Sequence, residues 1–313
     1  MNKKRLLTGL QPSGTLHIGN YFGALKPFLD MYEEFDSHLM VADYHALTTV
    51  RDPQTLRENT INVVKDYMAA GVDPAKAIIF QQSTILQHTE LAWIFECLVT
   101  VPFLNQAHSY KDKVAKGLEA NAGLFNYPML MAADILLYDT DVVPVGGDQR
   151  QHIEYTREAA NKFNLAFGDT FIPPEEKILN AVGTVPGVDG QKMSKSYKNT
   201  IPLFGSAEEI EKAVMGIVTD SEGGKPENVY KIHRLFKSSD ELDSVYRDNE
   251  GRYGDLKKIL VADIEALVGP MREKRSQISD EDVRQVLEDG GNKARERAEA
   301  KMIEVRKKIG ISL

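Results

Sequence analysis

The apolar run RLLTGL (Arg5–Leu10) passes through the turn QPSG (Gln11–Gly14) and into HIGN (His17–Asn20), at the start of a helical pattern carrying Tyr21, Leu25, Phe28 and Leu29. A buried strand feeding a helix through a short turn demands a sheet with helices packed on its faces. The alternation recurs. His38–Ala42 reads as a second strand, Asp52 and Pro53 open a helix through about Ala70 that Gly71 ends, and AIIFQ (Ala77–Gln81) reads as a third. Helical spacing follows at Thr89–Val99 and Met129–Leu137, then the strand DVVPV (Asp141–Val145) and a helix from about Gln149 to Asn164. The pattern predicts an α/β fold with a parallel sheet. Pro27 interrupts the first helical pattern and predicts a kink or a displaced turn there.

Gly168–Pro174 and Thr184–Gln191 read as loops, and after about Pro202 the strand-like runs stop. Ala207–Val218, Asn228–Phe236, Glu241–Tyr246, Gly254–Val268 and Asp280–Lys308 read as helices, so the chain divides into an α/β part, 1–203, and a helical part, 204–313. The last helix is long enough to return to the first part. A net charge of −8 argues against a non-specific nucleic-acid coat, which is usually basic, but leaves room for a local basic face. A single cysteine, Cys97, rules out an intrachain disulfide and a cysteine-based metal or iron–sulfur cluster, and fits a reducing compartment. The opening MNKKRLLTGL has no long apolar stretch, so no signal peptide is expected, and no run is long enough for a membrane span. A cytoplasmic location is the expectation.

Three short segments carry chemistry. In HIGN, backbone N–H groups at a helix start face an incoming anion, Gly14 and Gly19 allow close approach, and His17 and Asn20 add donors. A capped helix with a stray histidine would look the same. KMSKS (Lys192–Ser196) follows the glycine-containing stretch GVDGQ and precedes the change of character near residue 200. Lys192 and Lys195 suit the β- and γ-phosphates of ATP, although a solvated lysine loop is the plainer reading. GGDQ (Gly146–Gln149) ends a strand, where open α/β sheets bind ligands: Asp148 suits ribose hydroxyls and Gln149 a second substrate. A glycine turn with an aspartate cap is the alternative.

Taken together and in this order, HIGN, GxDQ and KMSKS resemble the class I aminoacyl-tRNA synthetases, and the chain is most similar to their bacterial tryptophanyl branch. The matching segments are GLQPSGTLHIGNYFGAL, YPMLMAADILLYDTDVVPVGGDQRQHIE, KMSKS and TDSEG, dense over the first 200 residues and thinner beyond, where GRYGDLKK and the closing helix are also similar. The resemblance implies a Rossmann-like catalytic domain and a C-terminal all-helical anticodon-binding domain. It implies an ATP-dependent tryptophan–tRNA ligase that forms Trp-AMP with release of pyrophosphate, then loads the 3′ end of tRNA(Trp).

For the site, the resemblance implies catalytic roles for His17, Asn20, Lys192 and Lys195. It implies ATP contacts from Gln11, Pro12, Ser13, Gly19, Asn20, Gly146, Gly147, Asp148, Val185, Lys192, Met193, Ser194, Lys195 and Ser196. Tryptophan contacts are implied for Gln11, His45, Tyr127, Met131, Asp134, Ile135, Val143, Val145 and Gln149. Mg²⁺ would ride on the ATP phosphates, with no protein cage. A homodimer is implied through the region after His108, where Lys111, Lys113 and Lys116 either touch a tRNA acceptor stem or form a solvated face. Two positions depart from the family pattern: Gly147 stands where Glu is common, and Tyr44 where Gln is.

The segment YPMLMAADILLY (Tyr127–Tyr138) bears on substrate choice. Tyr127, Met131, Asp134 and Tyr138 fall on one helical face, giving apolar walls and one carboxylate, which suits an indole with its single N–H. Met131 and Ile135 could equally be core; an aspartate on an apolar face could not. Tyrosyl-tRNA synthetases share the Tyr and Asp spacing but carry Gln where Met131 stands. A tyrosyl enzyme, a small-molecule adenylyltransferase and a non-catalytic tRNA-binding paralogue are the rival readings.

Overall fold

The computed structural model describes residues 3–107, 117, 119–145, 150–178, 185–219 and 225–312. Five strands, β1 (Arg5–Leu10), β2 (Asp36–Val41), β3 (Ala77–Gln81), β4 (Val142–Val145) and β5 (Glu175–Ile178), form one parallel sheet in the order β3-β2-β1-β4-β5. Neighbouring side chains on a strand point to opposite faces, and both faces are covered. Leu6, Leu39, Val41 and Ile79 join one apolar cluster; Leu7, Met40, Phe80 and Val143 join the other. That double burial is why β1 and β3 read as continuous apolar runs. β5, with the sequence EEKI, has no such run. Among the described residues it is an edge strand paired to β4 alone, and charge on such an edge blocks unwanted pairing.

The turn at Pro27 takes a specific form. Ile18–Asn20 starts as an α-helix, Tyr21–Leu25 widens to a π-turn with Lys26 N–H bonded to the Tyr21 carbonyl, and Lys26–Leu29 resumes α. The wider turn accommodates a ring that lacks an N–H and would crowd the carbonyl four residues back. The helix Ala122–Leu136 begins earlier than its apolar spacing suggested, because the Asn121 side chain caps it by accepting from Leu124 N–H at 2.9 Å. It also ends before Tyr138, which sits in the following turn, so the Tyr127–Tyr138 face is helical only through Leu136.

After residue 204 the described residues form helices Ala207–Met215, Glu227–His233, Ser239–Asp248, Tyr253–Gln277 and Asp280–Ile309. Ile210, Val229, Leu260 and Ile264 pack into the same cluster as Leu6 and Ile18. The last helix returns to the sheet and lies on β3. Gly290 makes this possible, since a Cβ there would overlap the Ile79 carbonyl. Arg297 then reaches Asp36 at 2.8 Å, and Arg306 makes two bonds to Glu90, at 2.7 and 2.6 Å.

Candidate active site

The strand order reverses between β1 and β4, and open parallel sheets bind ligands outside the carboxyl ends of their strands at such a point. The HIGN turn follows β1 there. Gly14 has φ +102°, a backbone position that favours glycine, and the chain then enters the helix at His17. Asn20 Oδ1 accepts from the His17 N–H at 3.1 Å, so this side chain caps the turn. The His17 ring is 7% exposed and its Nδ1 has no partner. Burial, and then the nearby Lys195 charge, push its pKa down to about 4. The imidazole is therefore neutral at physiological pH and acts as a dipole, not as a cation. A Cβ at Gly19 would come within 2.9 Å of His17 Nδ1 and 3.2 Å of Met193 Sδ, so glycine is needed to seat both.

The KMSKS loop lies directly against this turn. Lys195 Nζ donates to the Ser13 carbonyl at 3.2 Å. Met193 is buried, and its N–H bonds the Val185 carbonyl at 2.9 Å, which seats Val185 in the same cluster. Pro202 pairs antiparallel with His17: Ile18 N–H bonds Ile201 O at 3.0 Å and Leu203 N–H bonds Leu16 O at 2.9 Å. Asn199, absent from the expected set, is buried at the centre of the loop. It accepts from Ser194 N–H at 2.8 Å and donates to Asp189 at 2.7 Å and the Lys192 carbonyl at 3.1 Å. Ser194 and Ser196 hydroxyls bond each other at 2.8 Å, while Lys192, Lys195 and Ser196 face solvent. Gln11 and Ser13 are exposed beside them and Pro12 is buried.

The second cluster lies around Asp134, which is 1% exposed. Its Oδ2 accepts from His45 Nε2 at 2.8 Å, and its Oδ1 from His88 Nδ1 at 2.6 Å and Gln82 Nε2 at 2.7 Å. Burial opposes ionisation, but the bonds from His45 and His88 outweigh it and hold the carboxyl at about 2. With Nδ1–H donated to Asp134, a neutral His88 has Nε2 left to accept from the Tyr138 hydroxyl at 2.7 Å. A carboxylate has about four lone-pair positions; three are used, leaving one on Oδ2, beside His45.

Tyr127 OH bonds His152 Nε2 at 2.6 Å, and its ring meets that of His45 edge-on at 6.3 Å. Ile135 and Val143 are buried in the core and Met131 is half-buried against it. A cavity of about 380 Å³ opens alongside, lined by residues that include Tyr44, His45, Trp93, Glu96, Tyr127 and Leu130.

Two sets of expected residues thus gather separately: Ser13, His17, Gly19, Asn20, Val185, Met193 and Lys195 at the β1 turn, and His45, Tyr127 and Asp134 around the carboxylate. Val145 ends β4. Gly146, Gly147, Asp148 and Gln149 lie outside the described residues, as do Lys111, Lys113 and Lys116. His88, Gln82, His152 and Asn199 were missed. Only His88 left a sequence signal, a histidine among the apolar positions of QHTELAWIFE.

The family model for class I tRNA synthetases (W and Y) matches residues 1–276. The tryptophan–tRNA ligase of Fusobacterium nucleatum subsp. nucleatum is 47% identical, with 98% of each chain covered. That of Rhodopirellula baltica is 45% identical, covering 98% of this chain and 99% of its own. The crystal structure of tryptophanyl-tRNA synthetase from Campylobacter jejuni complexed with ADP and tryptophan superposes with TM-score 0.91 at 42% identity, covering 98% of this chain and 99% of that one. The chain belongs to the class I tRNA synthetases of the tryptophan and tyrosine group and, within it, to the tryptophan–tRNA ligases.

Proposed function

We propose that tryptophanyl adenylate forms in the crevice between β1 and β4, with HIGN and KMSKS on the ATP side and Asp134 on the indole side. The observation that carries this reading is the Lys195–Ser13 bond, which brings the two signature segments to one strand end. ATP enters as its Mg²⁺ complex, the metal held by phosphate oxygens and water. The tryptophan carboxylate attacks the α-phosphorus in line and the bond to the bridging oxygen breaks. Pyrophosphate leaves against Lys192 and Lys195, while neutral His17 and the N–H groups of the turn meet the charge developing on the phosphoryl oxygens. A ribose hydroxyl at the tRNA 3′ end then attacks the mixed anhydride, giving Trp-tRNA and AMP. No side chain becomes covalently attached; positioning and fixed dipoles supply the rate.

Tyr127, Gln149 and His45 are assigned to the ammonium side of tryptophan. Met131, Ile135, Val143 and Val145 are assigned to its ring, and Gly146, Gly147 and Asp148 to ribose and adenine. The ADP and tryptophan in the Campylobacter jejuni structure support this pairing of ligands. The helical part, 204–313, is assigned to the tRNA(Trp) anticodon, whose unpaired bases a helical surface reads singly. Homodimerisation is supported by exposed apolar side chains: Trp93, which lines the cavity, Leu86 and Val101 are each more than 60% exposed. A cytoplasmic setting is in keeping with the family, and no helix among the described residues is long and apolar enough to cross a membrane.

Lys195→Ala tests the reading. It should reduce kcat for tryptophan-dependent ATP–pyrophosphate exchange by about 10²-fold or more while changing the tryptophan Kd little. Equal loss in both would remove Lys195 from the transition state.

A further inference from the structure

Asp66 is a buried carboxylate that the scheme above does not use. It lies on the helix Pro53–Ala70 and is 1% exposed; burial pushes its pKa up, while the Arg275 guanidinium and the backbone of Leu16, the residue before His17, favour its charge. Its Oδ1 accepts from Arg275 Nε at 2.5 Å. Arg275 stands near the end of the long helix Tyr253–Gln277. Its Nη2 donates to Asn62 at 2.8 Å, which fixes the guanidinium plane, and that plane sits 5.4 Å from the Phe204 ring centre. Phe204 directly follows Leu203, whose N–H bonds Leu16 O, and Pro202, which pairs with His17. One guanidinium therefore joins the helix Pro53–Ala70, through Asp66, to the chain leaving KMSKS, through Phe204, and Leu203 next to Phe204 pairs with Leu16 at the HIGN turn. Asp66 and Arg275 are 209 residues apart in sequence.

A buried carboxylate with a single cation is expensive as a stabilising device, since an apolar pair of the same size does as well. What an ion pair supplies is a fixed direction: Asp66 must face Arg275 and Arg275 must face Phe204, so the Leu203–Leu16 pairing beside His17 has one place to be. The Asp66 charge also acts on Lys195, supporting its ammonium against burial. We propose that Arg275 is a positioning residue for adenylate formation, oriented by Asp66 and acting through Phe204 on the segment after KMSKS, which pairs with the HIGN turn. The helical part of the chain thereby sets the geometry of the ATP site. The proposal rests on the assignment of those two segments to ATP.

The test uses the full chain in tryptophan-dependent ATP–pyrophosphate exchange, with rates expressed per active site from adenylate burst titration. Arg275→Gln removes the charge and the guanidinium that faces Phe204 and Asn62, while keeping an N–H donor at the ε position. It should lower kcat per active site about tenfold or more, with the KM for tryptophan within about twofold of wild type. Arg275→Lys, which keeps the charge but not the second donor to Asn62, should recover part of the loss. Thermal melting by circular dichroism establishes that each variant is folded at the assay temperature. A wild-type kcat per active site in folded Arg275→Gln overturns the proposal, as does a loss wholly explained by fewer active sites. If Arg275→Gln does not fold, Arg275→Lys carries the comparison: a wild-type kcat per active site overturns it, and a reduced one at unchanged tryptophan KM supports it. Lys195→Ala serves as the separate control. If that variant too has normal kcat, the ATP-site assignment has failed and the Arg275 proposal falls with it.

Discussion

Replacing Asp134 with asparagine should weaken the preference for tryptophan over an isostere that has no ring N–H. The probe is 3-benzothienylalanine, in which sulfur replaces the indole N–H at nearly constant shape. Asp134 is a full carboxylate, with His45, His88 and Gln82 occupying three of its acceptor positions. The remaining position on Oδ2 is the one available to an indole. A hydrogen bond to a charged acceptor contributes about 1.5–3 kcal/mol, or about 10- to 150-fold in kcat/KM. The wild-type ratio of kcat/KM for the two amino acids in ATP–pyrophosphate exchange should lie in that range. In Asp134→Asn the charge is gone and two histidine donors compete for one amide oxygen, so the ratio should fall to about threefold or less. Because both substrates meet the same folded enzyme, loss of stability cancels from the ratio. An unchanged ratio would place the indole acceptor elsewhere and leave Asp134 a core ion-pair member.

Gly19→Ala should leave the melting temperature near wild type yet lower exchange kcat about tenfold or more, because the new methyl displaces the His17 ring; unchanged kcat would mean His17 has no role. Gly290→Ala should destabilise the fold by about 1–3 kcal/mol in urea, since the last helix must lift off the Ile79 carbonyl; an unchanged midpoint would contradict that packing. His38 is fully buried and accepts from Arg297 at 2.7 Å; burial first, then the Arg297 and Arg5 charges, push it down to about 4. Its folded pKa lies below its unfolded value, so the unfolded chain binds the extra proton and stability is lost as pH falls from about 6.5 towards 4. Urea midpoints at pH 5 and 7.5 should differ less in His38→Gln than in wild type; an equal difference would assign the acid sensitivity to other groups.

The sheet's central strands were legible because both their faces are buried, so Leu6, Leu7, Ile79 and Phe80 stand as unbroken apolar runs. β5 was not, since a charged edge strand such as EEKI has no pattern of its own and exists only by pairing with β4. Pro27 announced a disturbance but not its form, which depends on where the helix must start and resume. HIGN and KMSKS were legible as short local chemistry, while their meeting through Lys195 and Ser13 was not. The same holds for Asp134. An aspartate on an apolar face asks for partners, but His45, Gln82 and His88 come from other elements and only the folded chain selects them. Asp66 and Arg275 left no sequence signal at all, because a single charge on a helix looks solvated until its neighbours are known.

The proposed crevice joins an ATP site to a pocket selective for tryptophan. Amino-acid-dependent ATP–pyrophosphate exchange, run with the purified chain and each of the twenty amino acids in turn, tests it most directly. Exchange is expected with tryptophan, and none above background with tyrosine or phenylalanine. Exchange driven by tyrosine and not by tryptophan would contradict it.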